Sequence, residues 1–164
     1  MTLTMPDGWI TQDGLPMAFR APEEDAGFSF YTVGSISSDT CLRPDGQVVG
    51  PSVGDLAQAL LGLANVAATG PVDTTLGGLP AQRVDLTFAD GFDASGCNAP
   101  GGLQVWYSQP ADNYFVLLDD NTTSVYILEV DGKRQVYVTS VRNGASNQAV
   151  AELEAIIESI AFEE

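Results

Sequence analysis

Apolar and polar residues follow their most regular pattern in the stretch from Ser124 to Arg142. Two runs rich in β-branched and aromatic residues, VYILEV and VYVTSV, flank Asp131-Gly132. This dipeptide tolerates the positive φ angles of a tight two-residue turn. The pattern therefore predicts a β-hairpin.

Apolar residues then recur at helical spacing between Ser146 and Ile160. Ser146 or Asn147 can cap the free amides of the first turn. The spacing predicts an amphipathic helix that buries five large apolar residues and exposes three acidic ones. The predicted buried residues are Val150, Leu153, Ile156, Ile157 and Ile160, and the predicted exposed residues are Glu152, Glu154 and Glu158.

An earlier helix is predicted from its own start signal. Ser52 can accept a hydrogen bond from a first-turn amide, and Asp55, three residues later, can reach back in a capping box. Apolar residues follow at helical spacing, and Gly70-Pro71 predicts the end of the helix because proline blocks its continuation.

Strand patterns fill most of the remaining chain, and Gly77-Gly78 predicts a turn between two of the strands. Within the second strand of that pair, Val84, Leu86 and Phe88 are predicted to point inward. Besides the hairpin, the predicted strands are Met17 to Arg20, Gly27 to Ile36, Val72 to Leu76, Leu79 to Phe88, Leu103 to Gln109 and Tyr114 to Asp119.

The strands richest in apolar residues are apolar on both faces, so both faces of their sheet need a cover. Two helices are available for this. We predict an α+β fold in which an antiparallel sheet of about six to seven strands carries a helix on each face, as a three-layer α/β/α sandwich. A chain of 164 residues fits one globular domain, residues 1–164.

The charge and composition exclude several functions. The formal net charge is −16, and the chain has no histidine. The negative field repels nucleic acid and anionic lipid. Hydrolases with a serine-histidine or cysteine-histidine pair are excluded, and the commonest metal ligand is missing. We expect a monomer.

Two cysteines, Cys41 and Cys97, lie far apart in the sequence, within two long polar loops. They could form a disulfide, remain buried thiols, or supply half of a metal site. Zinc is disfavoured because CxxC spacing and histidine are both absent. We favour the disulfide, which is typical of an oxidising compartment. A signal segment or membrane anchor would then have been removed from this chain, because its amino terminus shows neither.

Several local motifs together resemble those of a known group of proteins. They are Gly8-Trp9, Gly50 to Leu60, Gly77 to Phe88, Asp93 to Cys97, Trp106, Val130 to Val136 and Ala151 to Phe162. In this succession the chain resembles a family of uncharacterised actinobacterial extracytoplasmic domains. The resemblance implies export, a cysteine bridge, a lipoprotein or membrane-anchored context, and a PsbP-type α/β/α sandwich. It transfers no catalytic residue to this chain, and we expect no cofactor.

Acidic residues supply the weak metal-site candidates. Asp90 and Asp93 lie in the loop of Cys97, and Asp119 and Asp120 follow a strand. Their oxygens suit calcium or magnesium, but their spacing differs from that of an EF-hand, and such runs more often form turns. Asn121-Thr122-Thr123 matches a glycosylation sequon and is interpreted more simply as a turn.

Aromatic residues are the remaining candidates for a binding surface. They are Trp106, Tyr107, Tyr114, Tyr126 and Tyr137. We expect most of them to form cross-strand packing pairs, with any ligand site in a tyrosine-rimmed cleft between the sheet and a helix.

These observations lead to a functional hypothesis. We expect a non-enzymatic extracytoplasmic domain that binds or senses an unknown small ligand or protein, with the loops around Cys41 and Cys97 as the first place to look for its site. The alternatives are a structural or assembly domain that binds another protein and, third, a hydrolase that uses paired carboxylates.

Overall fold

The computed structural model describes residues 1–11, 17–42, 46–99, 101–108 and 113–162. Within these ranges, the larger part of the structure is an antiparallel sheet of seven strands. The strands of this sheet are β1 (Trp9–Thr11), β2 (Met17–Arg20), β3 (Ala26–Tyr31), β6 (Val66–Leu76), β7 (Leu79–Phe88), β10 (Asn121–Val130) and β11 (Lys133–Arg142). Their order across the sheet is β1-β2-β3-β11-β10-β7-β6.

The predicted hairpin is confirmed and is central to this sheet. Strands β10 and β11 pair without interruption from Asn121 opposite Arg142 to Val130 opposite Lys133. Asp131 and Gly132 form the turn with φ angles of 50° and 72°. Strand β3 pairs with one side of the hairpin and β7 with the other.

A second antiparallel sheet corrects the predicted single-sheet fold. Its strands are β4 (Ser35–Ser37), β5 (Gly46–Val48), β8 (Gly102–Ser108) and β9 (Asn113–Leu118), in the order β5-β4-β8-β9. The predicted strand from Gly27 to Ile36 is therefore two strands in two sheets. Alternation indicates which residues are extended, but it carries no information about which sheet they join.

Helix α1 (Val53–Leu61) starts as predicted and ends earlier. The amide of Asp55 donates to Ser52 Oγ at 3.0 Å, and the amide of Ser52 donates to Asp55 Oδ2 at 2.9 Å, which completes the capping box. The predicted end at Gly70 is wrong, because Val66 already pairs with Phe88 of β7. Pairing with a neighbouring strand overrides helical spacing here.

Helix α2 (Asn147–Ser159) is capped by the Ser146 hydroxyl, as predicted. Leu153, Ile156 and Ile160 are buried, while Val150 and Ile157 stay partly exposed and Ala149 is buried as well. Glu154 and Glu158 are exposed as predicted, but Glu152 is half-buried.

The core divides into two clusters on opposite faces of the large sheet. One cluster joins α1, the small sheet and one face of the large sheet, and includes Leu56, Trp106, Val84, Val125 and Val138. The other joins α2 and the N-terminal residues to the opposite face, and includes Trp9, Phe28, Leu128, Tyr137 and Ile156. The fold is thus α+β, but the small sheet shares a face with α1, so the simple sandwich with one helix per face is not the observed arrangement.

Strand β6 is one edge of the large sheet, and its pairing with β7 is irregular. The register shifts between Thr69 and Val72, and Pro71 at this point has no amide hydrogen to offer. Within the described residues, neither helix has the length and apolar character needed to cross a membrane.

Candidate functional site

A groove of about 410 Å³ lies between helix α2 and the large sheet, and we call it the helix–sheet groove. Strands β7, β10 and β11 form its floor, where Arg83, Ser124, Tyr126, Thr139 and Val141 line it. Its volume falls in the range of small-molecule sites. It matches the predicted type of site, a cleft between the sheet and a helix that contains a tyrosine.

The register of the central strands brings these side chains together. Tyr126 lies opposite Arg83 on β7, and Ser124 lies opposite Asp85 on β7 and Thr139 on β11. Directly opposed residues of antiparallel strands project from the same face of a sheet. That face carries α2, so β7 and the hairpin β10–β11, which are distant in sequence, contribute to one surface.

Three polar groups are linked on the floor of the groove. The Ser124 hydroxyl donates to Asp85 Oδ1 at 2.6 Å, and Arg83 Nε lies 3.3 Å from the same oxygen. The Arg83 Nε–H is not aligned for a hydrogen bond, so this contact is an electrostatic attraction. The side chain of Arg83 is 40% exposed. The positive charge of Arg83 is therefore offset by Asp85.

Helix α2 forms the wall of the groove that faces this floor. Val150, Leu153 and Ile157 give it an apolar surface, and Glu154 and Glu158 add two carboxylates. Val150 and Ile157 are partly exposed in the groove, although the sequence predicted that both are buried. The wall thus combines apolar area with negative charge.

Most of the other candidate aromatic residues serve in packing. Trp106 is buried, with ring centroids 5.4 Å from Tyr31 and 4.9 Å from Phe115. Tyr137 is buried against Phe28. Tyr107 and Tyr114 stack across β8 and β9 at 6.4 Å. Among the five aromatic candidates, Tyr126 is the one that lines the helix–sheet groove.

The weak metal candidates are not brought together. Asp93 accepts a hydrogen bond from the amide of Ser95, which lowers the pKa of its carboxyl group, and Asp120 pairs with Arg142 at 3.1 Å. Asp90 and Asp119 are exposed. No group of three or more cysteine and carboxylate side chains in the described ranges is placed to hold a metal ion.

The sequon also has a structural role in the fold. Thr123 is fully buried, and its hydroxyl lies 3.1 Å from that of Ser140 on the neighbouring strand. Asn121 and Thr122 belong to β10 rather than to a separate turn.

Cys41 and Cys97 form a disulfide, with their Cα atoms 4.5 Å apart. The two loops are joined further by hydrogen bonds from Asn98, whose amide donates to the Cys41 carbonyl at 2.9 Å and whose side chain donates to the Leu42 carbonyl at 2.6 Å. A cavity of about 440 Å³ lies near this region, between α1 and strands β4 and β5. Asp55, the acidic residue on its wall, is already used by the capping box.

A polar cluster that the sequence did not reveal anchors α2 on its other side. Glu152 Oε2 accepts hydrogen bonds from the indole of Trp9 and from Arg20 Nε, each at 3.0 Å. Gln148 donates to Glu152 Oε1 at 2.8 Å. Hydrogen bonds from Trp9, then from Gln148 and Arg20, lower the pKa of Glu152. The helical pattern predicted that Glu152 is exposed. That pattern gives no information about Arg20 and Trp9, the partners of Glu152, which lie 132 and 143 residues away in the sequence.

Comparison with known proteins adds little. No protein-family model matches this chain, and no curated protein matches it either. Among solved structures, it is similar to the "Crystal structure of LpqN involved in cell envelope biogenesis of Mycobacterium tuberculosis", with 13% sequence identity and a TM-score of 0.45. The match covers 96% of this chain and 79% of that chain. So loose an overlap supports no argument about fold or function.

Proposed function

We propose that this chain is a non-enzymatic extracytoplasmic domain that binds or senses a small molecule in the helix–sheet groove. The groove is the observation that carries the proposal, because apolar walls, one aromatic ring and a few charged groups converge there. The disulfide supports the extracytoplasmic part, since disulfides persist in oxidising compartments. The lipoprotein or membrane-anchored context and the PsbP-type likeness remain predictions from the family resemblance.

Three carboxyl groups argue against their own use as a general acid. They belong to Asp55, Asp93 and Glu152, and hydrogen bonds to each carboxylate lower its pKa. A general acid of the glycosidase type needs a raised pKa. The hydrolase that uses paired carboxylates therefore stays the third hypothesis.

A fragment screen by nuclear magnetic resonance tests the proposed function. With the 15N-labelled domain, we expect binders whose shift changes map to the amides of Ser124, Tyr126, Val150 and Ile157. A Val150→Trp variant fills the groove and should abolish these changes. The control is Val48→Trp, which adds the same ring at a position that is 84% exposed on the small sheet. Binders that survive Val150→Trp, or whose shifts map elsewhere, would contradict the proposal.

A second candidate function, binding of another protein, is favoured by the outer face of the small sheet. One row of side chains crosses the four strands of this sheet, and its members are Val48, Ser35, Tyr107 and Tyr114. Tyr114 is 54% exposed. Exposed apolar patches often mark interfaces between proteins. Photocrosslinking from position 114 in the native host tests this candidate, and an absence of crosslinked partners would count against it.

A further inference from the structure

We infer that the helix–sheet groove selects an organic cation with an apolar body, such as an alkylammonium group. This inference rests on the proposed function and adds the chemical class of the ligand. Its first basis is the charge that remains in the groove. Asp85 offsets Arg83 on the floor, whereas no ion pair offsets Glu154 or Glu158 within the described residues.

The position of these two carboxylates on α2 strengthens the local negative potential. Glu154 and Glu158 are four residues apart and lie in the second half of the helix, whose last turn has no basic residue. Carbonyl groups at a helix C-terminus carry partial negative charge, and like charges at i,i+4 repel each other. A bound cation would reduce the repulsion between Glu154 and Glu158 and their repulsion by the helix C-terminus. A bound anion would add to both.

The rest of the groove suits the remaining parts of such a ligand. Tyr126 presents an aromatic ring from the floor, and a ring face attracts ammonium groups. Val141, Val150 and Ile157 provide apolar surface for an alkyl chain. The net charge of −16 raises the local concentration of cations around the whole molecule, so the test must separate the groove from this general field.

The experiment is isothermal titration calorimetry with three amphiphiles of equal chain length, each kept below its critical micelle concentration. They are octyltrimethylammonium, octyl sulfate and octyl glucoside, titrated at about 0.15 M ionic strength, where attraction between charges more than about 8 Å apart is largely screened and direct contacts are not. We expect octyltrimethylammonium to bind and the other two to give no measurable heat of binding.

Two variants with equal loss of charge locate the site. The groove variant Glu154→Gln/Glu158→Gln should bind octyltrimethylammonium at least tenfold more weakly, whereas Asp90→Asn/Asp119→Asn should bind as the wild type does. All four positions are exposed, so both variants should fold, which circular dichroism checks. In addition, Tyr126→Leu should weaken binding about fivefold and Tyr126→Phe should leave it unchanged, as expected for about 1 kcal/mol of cation–π attraction.

Each other outcome overturns the inference in a distinguishable way. Equal weakening in both double variants would show that the cation responds only to overall charge. Binding of octyl sulfate that Arg83→Gln weakens would show an anion site and would leave the proposed groove function intact. Absence of binding by all three amphiphiles would reject the cation class, and the fragment screen would then decide the proposed function separately.

Discussion

At the scale of single residues, Glu152 shows how one carboxylate can join distant parts of the chain. It accepts hydrogen bonds from Trp9 near the N-terminus, from Arg20 on β2 and from Gln148 one turn earlier on α2. Arg20 also pairs with Asp25 at 3.4 Å. Hydrogen bonds to a charged group are stronger than neutral ones, so this cluster fixes α2 against the N-terminal strands.

The lowered pKa of Glu152 predicts a dependence of stability on pH. The charged carboxylate of Glu152 contributes to stability at pH values above its ordinary pKa of 4.5. This contribution is lost as the pH falls through the lower pKa of Glu152 in the folded state. We expect Glu152→Gln to reduce the free energy of unfolding at pH 7 and to differ less from the wild type at pH 3. Urea unfolding at both pH values measures this.

The matched control for this prediction is Glu154→Gln, a carboxylate on the same helix that is exposed. It should change stability little at either pH. An equal loss of stability at pH 7 and pH 3 for Glu152→Gln would mean that packing, rather than the charge of the carboxylate, accounts for its role.

At the scale of elements, Arg134 joins the tip of the β10–β11 hairpin to the beginning of α1. Its Nη1 donates to the carbonyls of Gly50 and Ser52, and its Nη2 donates to the carbonyl of Val33 at 2.6 Å. Burial lowers the pKa of its guanidinium, although Asp55 partly opposes this effect. The predicted turn at the hairpin tip thus also holds a neighbouring helix in place.

We expect Arg134→Ala to reduce the free energy of unfolding by about 2 kcal/mol, because it leaves three carbonyls without a charged donor. Lys133→Ala is the matched control, since Lys133 is the adjacent cation and is exposed. Its effect should stay within about 0.5 kcal/mol. Chemical unfolding monitored by circular dichroism compares the two variants, and equal effects would contradict this role of Arg134.

The elements that the sequence predicted correctly are those specified by neighbouring residues. Asp131-Gly132 defines its hairpin and Ser52 with Asp55 defines the start of α1, because all the groups involved lie within a few residues. The end of α1 and the second sheet depend on pairing between distant strands. The sequence predicted a tyrosine-containing cleft between the sheet and a helix. It did not predict that Arg83 and Glu154 would line this cleft, because these residues are brought together by contacts between distant parts of the chain.

At the scale of the whole molecule, the disulfide and the helix–sheet groove belong to opposite faces of the large sheet. Cys97 is part of the cluster around α1 and the small sheet, whereas the groove lies under α2. The crosslink joins residues 56 positions apart, and it constrains the unfolded chain over that whole distance.

Replacement of both cysteines by alanine should therefore reduce the free energy of unfolding by about 4 kcal/mol on the chain-entropy model. Urea unfolding of the double variant, compared with the wild type with and without dithiothreitol, measures this loss. Under conditions where the double variant remains folded, fragment binding in the groove should persist. Loss of binding by a folded double variant would show that the two faces are coupled.

The irregular edge at β6 has a consequence for how these molecules behave when concentrated. An open, regular strand can recruit the strand of another molecule and so start the growth of fibres. Pro71 offers no amide hydrogen, and the shift between Thr69 and Val72 breaks the regular ladder at that edge. Strand β6, the longest edge strand among the described residues, is thus a poor template for aggregation, and the protein should stay soluble at concentrations where a regular open edge would start fibres.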